Sequence, residues 1–149
     1  MGCPLWDAVR AADAAAVELA LCNRADPNRK GSDGEREATP LVLAARGGHC
    51  EAVRLLCKFG AAKEATTQMG ATPLYIASHE GHLGVVHALC EAGADKERAA
   101  QVGTTPLIAA SHNGHLEVVR FLCRAGADLE TATREGAAPL HAAAQNGHA

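Results

Sequence analysis

The chain has 149 residues, a natural length for one domain. Its formal net charge of −3 at pH 7 argues against a nucleic-acid binder, which normally shows a basic face. Aromatics make up only 3% of the residues, too little bulk for a conventional globular core, and no apolar run reaches the ~20 residues of a membrane span.

The first residues, Met1-Gly2-Cys3, include acceptor types for myristoyl and palmitoyl groups. The myristoylation pattern asks for Ser or Thr where Trp6 stands, so this reads as a plain terminus. It also lacks the basic-then-apolar run of a secretory leader. Residues 4–28 are a variant of a unit that the rest of the chain repeats. Ala8, Arg10, Asp13, Val17, Leu19, Leu21, Ala25 and Asp26 fall in register with the stretch from Ala110 to Asp128, while Trp6 and Asp7 replace the usual opening. Such an atypical end unit reads as an N-terminal capping repeat, which shields one end of a stacked array. Residues 29–38 follow as a longer polar loop, Lys30-Gly31-Ser32-Asp33-Gly34-Glu35-Arg36-Glu37 at its centre. It is expected to be a neutral surface insertion.

From there one unit is written three times and begun a fourth. Thr-Pro-Leu stands at Thr39, Thr72 and Thr105, with Ala138-Pro139-Leu140 one period on. Gly-His recurs at Gly48, Gly81, Gly114 and Gly147, and Gly-Ala at Gly60, Gly93 and Gly126. A fixed period of this size marks a stacked repeat array. The full repeats are placed at 37–66, 70–99 and 103–132, and an incomplete last repeat at 136–149. Together with residues 4–28 they form a single domain over 1–149. Within the third full copy, Thr105 caps a helix that Pro106 begins, since proline's missing N–H has no partner there in any case. Leu107, Ala110 and Ser111 give that helix a small apolar face, and Gly114 breaks it. Leu116, Val119, Leu122 and Cys123 then fall at helical spacing and are expected to be the buried stripe of a second helix, with Glu117, Arg120 and Arg124 pointing away. Gly126 is expected as a left-handed C-terminal cap. Asp128 to Ala137 reads as a turn-rich hairpin leading to the next proline.

These motifs, clearest from Thr105 to Asp128, resemble the ankyrin repeat family. The resemblance covers nearly the whole chain. It implies an all-α repeat solenoid, an ankyrin-like stack of helix-turn-helix units joined by β-hairpin fingers. Val42, Tyr75 and Ile108 replace the family's histidine after the leucine, which only His141 keeps; Ser78 and Ser111 replace its second alanine. Met69, Val102 and Glu135 replace the aspartate often found before the hairpin glycine. Loss of that aspartate is expected to loosen the links between fingers. The chain stops at His148-Ala149, after one helix of a fourth repeat, which reads as a fragment of a longer array with an uncapped apolar face.

Cys57, Cys90 and Cys123 share one place in successive second helices, and Cys3, Cys22 and Cys50 lie off that register. Neighbouring helices sit about 8–10 Å apart and a disulfide needs Cα atoms within about 7 Å, so the ladder reads as small buried hydrophobes. Free thiols in number point to a reducing compartment, cytoplasmic or nuclear. His49, His82, His115 and His148 follow the break glycine one per repeat, a row and not a metal cluster, and are expected to satisfy backbone groups between helices. His79 and His112 are expected on the surface, and His87 on the solvated outer helix. Phosphate loops, zinc spacings and nucleophile elbows are missing. The reading is therefore no enzyme, no metal site and no cofactor.

A frame of this kind offers an extended concave surface of finger tips and first helices. The resemblance implies a protein–protein interaction module or scaffold whose partner, another protein, lies along it. The positions that the repeat constrains least are the candidates for contact. On the fingers they are Thr66, Gln68, Met69, Arg98, Gln101, Val102, Arg134 and Glu135. On the first helices they are Arg46, Tyr75, His79, Glu80, Ile108, His112 and Gln145. Met69, Tyr75, Val102 and Ile108 would form an apolar centre where anchors gather, with Arg46, Arg98, Arg134, Glu80 and Glu135 as its charged surround. The competing readings are the non-catalytic ankyrin region of a larger enzyme, channel or ubiquitin-ligase subunit, and a structural spacer. End-to-end self-association through the uncapped C-terminus is a further expectation.

Overall fold

The computed structural model describes residues 4–33, 36–101, 103–136, 138–145 and 147. Gly2, Cys3, Val102 and His148, singled out in the sequence, lie outside them. The described elements run α1 (Pro4–Arg10), α2 (Ala14–Cys22), β1 (Gly31–Asp33), β2 (Arg36–Ala38), α3 (Pro40–Gly47), α4 (Cys50–Lys58), α5 (Pro73–Glu80), α6 (Leu83–Glu91), α7 (Pro106–His112), α8 (Leu116–Arg124) and α9 (Pro139–Gln145). The odd-numbered helices form an inner row, each packed on the next, and α2, α4, α6 and α8 form an outer row beside it. That is the layered helix-pair stack the period implies.

Each inner helix starts where the threonine chemistry puts it. Thr39, Thr72 and Thr105 are extended N-caps, buried to 4%, 1% and 1% exposure. Their hydroxyls accept from the N–H of Val42, Tyr75 and Ile108 at 3.3, 3.1 and 3.3 Å. Gly48 and Gly81 end α3 and α5 in the left-handed region, at φ 72 and 81. Space as well as dihedral demands glycine there. A Cβ at Gly81 would lie 2.5 Å from the His115 ring, and one at Gly48 would lie 2.8 Å from His82. Those rings belong to the next repeat. His82 Nε2 lies 3.0 Å from the Arg46 carbonyl, and His115 Nε2 lies 2.8 Å from that of His79. The two histidines thus tie one repeat's turn to the previous inner helix.

The outer helices end alike. The N–H groups of Ala61, Ala94 and Ala127 reach back to Leu56, Leu89 and Leu122 at 2.9, 3.0 and 3.0 Å, over Gly60, Gly93 and Gly126 in the left-handed conformation. In the first unit Arg24, at φ 63, takes that place, and Ala12, at φ 55, takes the place of Gly48.

The core is a ladder of leucines and valines. Leu41, Leu74 and Leu107 of the inner row and Leu56, Leu89 and Leu122 of the outer row are at most 1% exposed. The stripe expected on α8 holds at Leu122, is only partly buried at Val119 and Cys123, and is corrected at Leu116. Leu116 is 56% exposed, whereas Val118 and Leu122 are buried. At about 100° per residue, 116, 119 and 123 share one face and 118 and 122 another. Both are apolar in sequence, and the second is the one that is buried. The cysteine ladder is likewise only half-buried, although it packs on the core. Burial sets the Cys57 and Cys90 thiols above the usual range, against the opposing pull of Lys63 and Lys96.

The segment expected to be a polar loop at 29–38 contains the antiparallel pair β1–β2, with Gly31 opposite Ala38 and Ser32 opposite Glu37. Trp6 holds this first finger. Its indole Nε1 donates to the Arg29 carbonyl at 3.2 Å, and the ring lies so close to Gly31 that a Cβ there would be 2.6 Å from Cε2. The later fingers are shorter turns closed by Gly70, Gly103 and Gly136, whose N–H groups donate to Thr67, Ala100 and Thr133 at 2.9, 2.9 and 2.8 Å. No helix among the described residues is long and apolar enough to cross a membrane.

Candidate partner-binding surface

The second finger and two inner helices enclose a cavity of about 440 Å³. The finger contributes Thr67, Gln68, Met69 and Ala71, the last turn of α3 contributes Arg46, and α5 contributes Tyr75, Ile76, His79 and Glu80. Ala71 and Ile76 are 8% and 7% exposed and form an apolar floor, while Met69 stands 61% exposed at the rim. The half-buried Tyr75 ring stacks on His79 with centroids 6.3 Å apart. Burial pushes the Tyr75 phenol above its usual range, so it stays a neutral hydroxyl at ordinary pH. His79 Nδ1 lies 3.1 Å from Glu80 Oε1. An apolar floor ringed by a guanidinium, an imidazole, a phenol and a carboxylate can seat an apolar side chain and orient it.

Six expected contact residues therefore meet at one cavity: Arg46, Gln68, Met69, Tyr75, His79 and Glu80. Thr66, Arg98, Gln101, His112, Arg134 and Glu135 are exposed but do not line it. Gln145 ends α9, and its side chain is not among those described. Ile108 is a correction. It is 3% exposed and belongs to the packing of the inner row, so it is no part of a contact surface. Its place in the unit is that of Val42, also buried, and of Tyr75, whose greater length brings its ring to the cavity.

Gln101 links two of the fingers that lack the aspartate before the hairpin glycine. Gln101 Nε2 donates to the Gln68 carbonyl at 2.9 Å, and the Gln101 N–H donates to the Met69 carbonyl at 3.4 Å. Sequence reading also missed a polar ladder on the other edge of the stack. Asn28 Oδ1 accepts from the Ala62 N–H at 2.7 Å, Glu64 Oε1 from Asp95 at 2.9 Å and Glu97 Oε1 from Asp128 at 2.9 Å. The signal was present, because Asn28, Glu64 and Glu97 keep the repeat register. His87 is exposed on the outer helix α6, as expected, with its ring 5.0 Å from that of Phe121 and its Nδ1 3.2 Å from Glu91 Oε2. Among the described residues no three of His, Cys, Asp and Glu gather as metal ligands would.

Stacked helix pairs joined by short fingers define a repeat-built helical array. The family model described as ankyrin repeats (3 copies) matches residues 5–100 and 96–149. The chain belongs to the ankyrin repeat family, whose repeats are in general protein–protein interaction modules and typically non-catalytic. No curated protein matches this chain.

Proposed function

We propose that the chain is a binding module that takes a protein partner along its inner helices and finger tips. The cavity under the second finger carries this reading, because its apolar floor and polar rim converge from three successive segments of the stack. Arrays of this kind bind with varied side chains on a rigid frame, and chemistry is not required. The free Cys22, Cys50, Cys57, Cys90 and Cys123 support a reducing compartment, cytoplasm or nucleus, as its setting.

Partner capture by the native chain should be lost in Met69→Asp with His79→Ala and kept in Leu116→Asp. All three side chains are exposed, so the comparison reads the surface and not the fold. Equal capture by both variants sinks the inner-face assignment. A second reading, self-association through the α9 end, is favoured by Leu140 at 78% exposure. It requires a concentration-dependent mass that Leu140→Glu abolishes, and a constant monomer mass rules it out.

A further inference from the structure

Met69 is one of two methionines in the chain, and Met1 lies outside the described residues. It stands 61% exposed at the rim of the inner-face cavity, whose floor is the buried Ala71 and Ile76. The finger backbone keeps it there. Gly70, at φ 70, closes the turn onto the Thr67 carbonyl at 2.9 Å, and the Gln101 N–H donates to the Met69 carbonyl. A Cβ at Gly70 would lie 3.1 Å from Gln101 Cγ, so the next finger is packed against this turn. A thioether is apolar, polarizable and open to two-electron oxidation. In the next two fingers the same place is held by Val102 and Glu135, which carry no sulfur. The thiols stand elsewhere. Cys22, which is exposed, ends α2, and no cysteine among the described residues lines this cavity. Burial holds Cys57 and Cys90 above the usual thiol range, which leaves them little thiolate for an oxidant.

We propose that Met69 is an oxidation site that controls the inner-face cavity. Hydrogen peroxide transfers one oxygen atom to the thioether sulfur: an S–O bond forms, the O–O bond breaks and water leaves. The sulfur loses two electrons and the peroxide gains them. The product sulfoxide is a polar, hydrogen-bonding group on a rim that was apolar at this point. A partner's apolar side chain entering over Ala71 and Ile76 then strips water from that group without replacing its hydrogen bonds, which costs affinity. A sulfoxide reductase reverses the change with a dithiol, which becomes a disulfide as the oxygen leaves in water. The proposal rests on the inner-face reading and adds the regulation of that site.

The probe of the cavity is indole, an uncharged apolar ring, titrated into the full chain. Binding is followed by the NMR signals of Tyr75, the single tyrosine, and of the Met69 methyl group. Mass mapping after peroxide should place one oxygen on Met69 as readily as on N-acetylmethionine amide in the same tube. Dithiothreitol then returns sulfenic acids and disulfides to thiols and leaves the sulfoxide in place. The Kd for indole should rise about fivefold on oxidation. Met69→Leu should bind indole as the native chain does and keep its Kd through the same treatment. Met69→Gln, polar from the start, should bind weakly without peroxide. Protection of Met69 relative to the free amide overturns the proposal, as does an unchanged Kd in the oxidised chain. An equal rise in treated Met69→Leu overturns it too, because the loss then comes from another residue. In each of these cases indole still shifts the Tyr75 signals of the untreated chain, and the inner-face reading stands. If indole leaves those signals unmoved, the cavity reading fails together with its control.

Discussion

Leu107 and Leu140 stand one period apart behind the same proline, yet one is 1% exposed and the other 78%. Both open an inner helix, and α7 and α9 pack against each other. The difference lies in what else surrounds them. Leu107 has α5, α8 and α9 around its helix, whereas no outer helix lies beside α9 among the described residues. Burial in this chain therefore belongs to the neighbours and not to the motif, as a nearest-neighbour stack requires.

Truncation tests the contrast most strongly. Leu74→Ala removes a fully buried rung and should cost about 2–5 kcal/mol, while Leu140→Ala should cost about 0.5 kcal/mol or less. Urea midpoints of the two variants measure it, and equal losses would mean that α9 is covered. Caps come next. Thr72→Ala should cost about 1–2 kcal/mol. Ala138, which has no side-chain oxygen, stands in the capping place of α9, so Ala138→Thr should raise the thermal midpoint; no rise would show that α9 is already satisfied.

A smaller effect separates two serines of the inner row. Ser111 Oγ donates to the Leu107 carbonyl at 2.8 Å. Ser78 Oγ is buried with no hydrogen-bond partner among the described residues. Ser78→Ala should therefore stabilise the chain by about 1 kcal/mol, and Ser111→Ala should not. A loss at Ser78 would reveal a partner for its hydroxyl. The smallest contrast is at the left-handed turns. Arg24→Gly should gain about 0.5–1 kcal/mol, because Gly60, Gly93 and Gly126 already fill that place elsewhere. A decrease would show that the Arg24 side chain matters to the first unit.

The repeat, the caps and the break glycines were legible because each depends on local chemistry at fixed spacing. The start of the buried stripe of α8 was not, since Leu116 and Val118 are both apolar and only the position of the inner row chooses between them. Ile108 misled for a related reason. Its place in the unit carries Tyr75 at the cavity in one repeat and a buried aliphatic side chain, Val42 or Ile108, in two others. The β1–β2 pair was hidden by its composition, and what steadies it, the Trp6 ring against Gly31, is a contact across 25 positions that no local pattern shows. The six residues that meet at the cavity were named by subtraction, as those that the repeat leaves open. Their convergence is a property of the stack.

The most direct test of the inner-face account is hydrogen exchange on the chain bound to its captured partner. The account predicts slower exchange in the second finger, at 66–71, and around the last turns of α3 and α5, with 83–91 and 116–124 unchanged. Slowing confined to those outer helices would contradict it.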